Sequence, residues 1–169
     1  YFTGTCSSPT DFDPDPEFND GGIINSGMYI SSFSPDGSFN WVTTWESATM
    51  DILRSTEIAI NESGGPSFSG YFHGIMDLDP GPAVDERTSW PFCDFLLKLD
   101  PNGQVFWSNT WTGTGAMPSN VLAVTDSGDT YMTDDFWERI DFDPGPGTEW
   151  RSADNGASYL LKFPSDGDW

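Results

Sequence analysis

Asp77-Leu78-Asp79-Pro80-Gly81-Pro82 is the stretch on which the fold turns, because the chain writes it three times. Asp11-Phe12-Asp13-Pro14-Asp15-Pro16 stands 66 residues before it, and Asp141-Phe142-Asp143-Pro144-Gly145-Pro146 stands 64 residues after it. A fixed period marks a repeat architecture. The flanks keep the same phase. Phe2, Phe68 and Met132 precede the three phrases by nine residues, and Tyr29, Phe95 and Tyr159 follow their first Asp by eighteen. From those aromatics run Tyr29-Ile30, Phe95-Leu96-Leu97 and Tyr159-Leu160-Leu161, each ending in a turn. The turns are Ser34-Pro35-Asp36-Gly37, Asp100-Pro101-Asn102-Gly103 and Pro164-Ser165-Asp166-Gly167. After the first two, Phe39, Trp41 and Trp45 match Val105, Trp107 and Trp111. Ile58-Ala59-Ile60 matches Leu122-Ala123-Val124, so the two-residue difference in period falls around 46–56.

Each unit reads as four short strands. Asp-Gly and Asn-Gly between apolar runs signal hairpins. Trp107 and Trp111 alternate with Ser108 and Thr110 at the period of a strand. Pro and Gly interrupt every window long enough for a helix. Toward the C-terminus the strands are expected at 121–125, 130–140 and 157–163, with another beginning near 168. The fold expected is all-β: tandem four-stranded units of about 64–66 residues, spanning 1–67, 68–131 and, in part, 132–169. Four antiparallel strands repeated around an axis make a β-propeller blade. A linear stack of β-sandwich-like units is the alternative. The units exceed the ~40–50 residues of familiar blades, and the excess is expected in a loop after the acidic phrase.

The repeat resembles the bacterial repeats named after seven-bladed β-propellers, in the subset whose blades carry an Asp-Phe-Asp-Pro-Gly-Pro-Gly loop. The likeness rests on the run from Leu122 to Tyr131, on Asp141 to Gly147 and on Tyr159-Leu160-Leu161-Lys162-Phe163, with Asp94 to Gly103 fitting equally well. It implies a secreted or surface repeat protein and supplies no catalytic residues. The first copy departs from it, with Asp15 where the others have Gly81 and Gly145, and Ser32 where the others have Lys98 and Lys162. Fewer than three units are present, whereas closed propellers take four to eight blades. Further repeats or identical subunits are therefore the expected partners.

Charge and composition narrow the function. The net charge is −21, which repels nucleic acid and anionic membranes. Aromatic residues make up 15% of the chain, too many for a disordered acidic segment. No run approaches the ~18 apolar residues of a membrane helix, so no membrane insertion is expected. Acidity and a turn-rich composition point to an extracellular or cell-surface protein.

In an extended segment residues i and i+2 point the same way, so the two carboxylates of each phrase converge. Convergence favours a cation, and calcium takes six to eight oxygens from carboxylates, carbonyls and water. The candidate ligands are Asp11, Asp13 and Asp15, then Asp77 and Asp79, then Asp141 and Asp143. The competing reading is an Asx-type turn in which the Asp side chain accepts from its own loop. Three equivalent carboxylate pairs do not resemble the single acid and base of a glycosidase, and the lone His73 stands in no nucleophile motif. Cys6 and Cys93 could pair across two units. Asn61-Glu62-Ser63 is a glycosylation triplet at an expected turn. The recurring Trp41, Trp45, Trp107 and Trp111 read as packing between units. Trp90, Trp137 and Trp150 do not recur; they are the better candidates for an exposed surface, but each is still read as packing. The function expected is non-catalytic: a calcium-stabilised structural or interaction repeat of a surface assembly, such as a filament or adhesin subunit. A carbohydrate-binding propeller with glycan partners is the alternative.

Overall fold

The computed structural model describes residues 1–13, 26–46, 53–62, 65–113 and 116–168. These residues form ten strands and no helix: β1 (Phe2–Cys6), β2 (Gly27–Phe33), β3 (Phe39–Glu46), β4 (Leu53–Ile60), β5 (Pro66–Asp77), β6 (Glu86–Leu99), β7 (Val105–Gly113), β8 (Ala116–Val124), β9 (Thr130–Asp141) and β10 (Trp150–Phe163). The chain is all-β, as its turn chemistry dictates.

Neighbouring strands pair antiparallel as three meanders. Meander 1 is β1-β2-β3, meander 2 is β4-β5-β6-β7 and meander 3 is β8-β9-β10. Only Thr112↔Asp141 and Gly113↔Ile140 join β7 to β9. That short ladder merges meanders 2 and 3 into a nearly closed, barrel-like sheet, with β8 beside β4 and β5. The meanders start one strand ahead of the units drawn at 68 and 132, because β4 and β8 pair with the strands that follow them.

Equivalent strands keep one register. Phe72 faces Cys93 and Gly74 faces Ser89; 64 residues on, Phe136 faces Ala157 and Glu138 faces Ala153. Both hairpins therefore carry the same bulge, with three residues opposite one. The bulge demands positive φ. Gly74 supplies it freely at 102°, whereas Glu138 holds 60° against the steric preference of a side chain. The turns after β2, β6 and β10 are also one turn. Gly37, Gly103 and Gly167 have φ of 90°, 85° and 83°, and each donates its N–H to the carbonyl three residues back.

The excess length does not lie in a loop. β6 and β10 each run 14 residues, because the segments after the acidic phrases pair back onto β5 and β9 as far as Asp77↔Glu86 and Asp141↔Trp150. The second and third phrases thus sit at the tips of long hairpins.

The core lies between meanders rather than within them. Met28, Ile30 and Trp45 of meander 1 pack on Phe68, Phe72, Phe95 and Leu97 of meander 2. Leu96 and Trp111 of meander 2 pack on Met132, Phe136, Leu161 and Phe163 of meander 3. Alternation along β6 makes this possible. Phe95, Leu97 and Leu99 belong to the first cluster and Leu96 to the second.

Candidate functional site: acidic hairpin tips and unit boundaries

The two fully described tips are built alike. Asp77 Oδ1 accepts the amides of Asp79 and Asp85 at 3.1 and 2.8 Å, and Asp79 Oδ1 accepts that of Gly81 at 2.8 Å. In meander 3, Asp141 Oδ1 accepts from Asp143 at 3.2 Å and from Glu149 at 2.6 Å, and Asp143 Oδ1 accepts from Gly145 at 2.7 Å. The first Asp thus ties the two ends of the tip together, and the second organises the Pro-Gly-Pro bend. A Cβ on Gly147 would meet the Asp143 carboxylate, whereas the equivalent position of the other tip is Ala83. The middle residue tucks inward: Leu78 is fully buried, and Phe142 meets the Tyr159 ring at 5.0 Å. A short ion pair flanks each tip, Arg87–Asp85 and Arg151–Glu149.

In the first copy Asp11 accepts from the Asp13 amide at 3.1 Å. Asp15 lies outside the described residues. Every expected ligand pair that is described therefore serves its own turn. Among the described residues no group of three or more His, Cys, Asp or Glu side chains is placed to hold a metal ion.

Two other candidate sites read from the sequence have distinct surroundings. Cys6 and Cys93 are separate free thiols. Cys6 lies in β1 opposite Gly27, its Sγ near the Gly27 carbonyl, whereas Cys93 is buried in β6 opposite Phe72. Burial, then the neighbouring Asp94 charge, pushes Cys93 up to about 12, so the thiol stays protonated at neutral pH. Asn61 is not an open glycan acceptor. It is 8% exposed and its amide nitrogen lies beside the turn at Gly128.

The boundaries between meanders carry a repeated lock. Trp41 Nε1 donates to the Pro101 carbonyl at 2.9 Å, and Trp107 Nε1 donates to the Ser165 carbonyl at 3.1 Å. Two residues along, Thr43 Oγ1 donates to the Gly103 carbonyl at 2.6 Å, and Asn109 Nδ2 donates to the Gly167 carbonyl at 3.1 Å. A Cβ on Gly103 or Gly167 would strike the Trp41 or Trp107 ring. The turn glycine therefore serves twice, supplying positive φ and letting the indole of the preceding meander lie flat against it. A second clasp exists at the first boundary alone: Trp45 Nε1 donates to the Leu78 carbonyl at 3.0 Å, while Trp111 Nε1 is buried without a partner.

The second boundary holds a polar group that the sequence did not flag. Asp94 is 1% exposed and its Oδ1 has no hydrogen-bond partner. Burial, then the charge of the 5% exposed Asp134, raises Asp94 to about 7. The nearby Tyr159 phenol is raised by burial and then by Asp94, Asp134 and Asp135. At the first boundary the corresponding positions are Met28 and Gly70.

The non-recurring Trp residues are on the surface. Trp90 is 71% exposed, with the His73 ring edge-on at 4.3 Å, and Trp137 and Trp150 are 40% and 41% exposed. A cleft of about 550 Å³ separates β3 from the tip and turn of meander 2, lined by Thr43, Thr44, Asp79, Asn102 and Gln104 among others. The chain matches no protein-family model and no curated protein.

Proposed function

We propose that the chain is a non-catalytic structural and interaction repeat of an extracellular surface assembly, its meanders acting as propeller-type blades. The observation that supports this reading is the lock that recurs at both boundaries, Trp41 on the Gly103 turn and Trp107 on the Gly167 turn. A β-strand that seats its tryptophan on the next unit makes each unit the template for its neighbour, and stability then accrues unit by unit. The bacterial propeller-type repeats that the sequence resembles fit this reading. The test is modular. A chain carrying residues 53–113 twice in tandem is expected to unfold cooperatively and at no lower a temperature than the parent. An insertion that abolishes cooperative unfolding contradicts the proposal.

Calcium at the tips belongs to the same reading. Each fully described tip carries two Asp residues in one short loop, on a chain of net charge −21. Pro80 and Pro82 bring no amide donors there, which leaves loop carbonyls for a hard cation. A bound ion would draw its remaining oxygens from those carbonyls and from water.

A second reading, a carbohydrate-binding surface, is favoured by Trp90, whose exposed ring offers a flat apolar face beside His73. A glycan array separates the two. Binding that disappears in Trp90→Ala would support the second reading over the first.

A further inference from the structure

We infer that the cleft between β3 and the tip and turn of meander 2 binds a neutral sugar, with Thr44, Asp79, Asn102 and Gln104 meeting its hydroxyls. The inference gives the carbohydrate reading a surface apart from Trp90, and it rests on neither calcium nor the stacking of further units. The cleft encloses about 550 Å³, within the range of small-ligand sites. Its walls are fixed by the protein itself. Thr43 Oγ1 ties β3 to the Gly103 carbonyl at 2.6 Å. Asp100 Oδ1 accepts the amides of Asn102 and Gln104 at 2.8 and 2.9 Å, which sets the turn. Asp79 Oδ1 accepts the amide of Gly81 at 2.8 Å, which sets the tip. A site already held in shape loses less binding free energy to ordering.

The lining selects the ligand by its chemistry. Among the described residues no Lys, Arg or His lines the cleft, and the chain carries a net charge of −21, so phosphates and carboxylates are disfavoured. The side chains of Thr44 and Gln104 make no hydrogen bond among the described residues. Asn102 donates its Nδ2 to Asp100 at 3.3 Å and keeps its Oδ1 as an acceptor. A carboxamide both donates and accepts, as a sugar hydroxyl does, whereas an ionised carboxylate only accepts. Meanders 1 and 3 place Asp36 and Asp166 where this turn has Asn102, and Ser38 and Asp168 where it has Gln104. The turn at the cleft is therefore the one of the three that carries a carboxamide pair. Asp79 adds the single charge of the lining, an acceptor for neighbouring hydroxyls. No aromatic ring lines the cleft among the described residues, so Pro80, Pro82 and Val105 supply the apolar surface for the C–H face of the sugar.

The test is nitrogen-resolved NMR of the protein titrated with glucose, galactose, mannose and N-acetylglucosamine. Glucuronate serves as the charged probe and n-butylammonium as the mimic of a basic side chain. At least one neutral sugar is expected to shift the amides of Thr44 and of Asn102 to Val105 at millimolar concentration, and glucuronate to shift them far less. Gln104→Ala and Thr44→Val remove groups that the fold does not use. Each is expected to weaken that sugar about tenfold with the melting temperature unchanged. Trp90→Ala is expected to leave the shifts as they are. No shift by any neutral sugar, equal shifts by glucuronate, or shifts by n-butylammonium in their place overturns the assignment. Binding lost in Trp90→Ala but untouched in Gln104→Ala and Thr44→Val overturns it too, and leaves the carbohydrate reading standing at Trp90. Binding lost in the cleft variants and kept in Trp90→Ala supports the cleft and removes Trp90 as the sugar site.

Discussion

The two boundaries inside this chain are one design executed twice, and they differ in how completely it is finished. At the first, Trp41 and Trp45 both donate to carbonyls of meander 2, and Met28 is fully buried in the apolar cluster beside them. At the second, Trp107 makes its bond, but Trp111 Nε1, Asp94 Oδ1 and the Tyr159 hydroxyl are buried without partners. A buried polar atom without a partner costs roughly 1–3 kcal/mol. The comparison teaches that the lock on the turn glycine is the common element. The chemistry packed behind it sets how firmly each boundary holds, and the second should open first.

The largest effect expected is on pH dependence. Asp94 is raised to about 7 by burial and then by Asp134, so between about pH 4 and 7 the folded chain holds a proton that the unfolded chain releases. Stability from this group is whole below pH 4 and declines as the pH rises through that window, by on the order of 4 kcal/mol in all. Denaturant unfolding at a series of pH values should show the decline, and Asp94→Asn should flatten it. A parent profile that is already flat would mean that the second boundary admits water to Asp94.

Next come the tips. Asp141→Ala removes the acceptor of two amide bonds and is expected to cost about 2 kcal/mol, read from the denaturation midpoint. Asp141→Asn keeps an oxygen for those amides and should cost much less. Calcium separates the two roles of the tip. It is expected to raise the parent's melting temperature and to raise that of Asp77→Asn and Asp141→Asn less. An identical calcium response in all three proteins would leave the carboxylates with the turn alone.

Smaller still is the contrast between the paired indoles. Trp45→Phe strands the Leu78 carbonyl, whereas Trp111→Phe removes a donor that has no partner. The first substitution should cost about 1 kcal/mol more than the second. Equal costs would mean that the boundaries are finished alike. Smallest is Glu138→Gly, which relieves a side chain held at φ 60° in the place where meander 2 already has Gly74. It is expected to stabilise by up to about 1 kcal/mol, seen as a higher melting temperature.

Much of this was legible in the sequence, because strands, turns and repeats leave local marks. The all-β class, the period and the turn glycines follow from alternation and from Gly at fixed offsets, and equivalent strands and turns keep one register; the grouping into four-stranded units does not, since the strands form a three-stranded and a seven-stranded sheet. The recurring tryptophans pack at the boundaries as expected, whereas the solitary ones, read as packing too, are exposed. Trp45 and Trp111 are buried, Trp41 and Trp107 sit half-buried at the boundaries, and Trp90 is open to solvent. What sequence could not carry were facts that depend on partners across the sheet. The stretch after each acidic phrase read as loop because its strand character appears only when it pairs with β5 or β9. Asn61 read as an exposed turn residue because nothing local announces the Gly128 turn packed beside it. Asp94 looked like one acid among 27 Asp and Glu, and only the arrival of Asp134 from another meander makes it distinctive. Cys6 and Cys93 read as a possible pair because they fall in different copies near the start of expected strands, while the fold sets them in different sheets.

The most direct test of the repeated lock is hydrogen exchange at the eight tryptophan indoles, followed by nitrogen-resolved NMR. Trp41, Trp45 and Trp107, whose Nε1–H groups donate across boundaries, should exchange far more slowly than Trp90, and Trp107 should lose its protection first as the pH rises through 7. Trp41 and Trp107 exchanging as fast as Trp90 would contradict the lock.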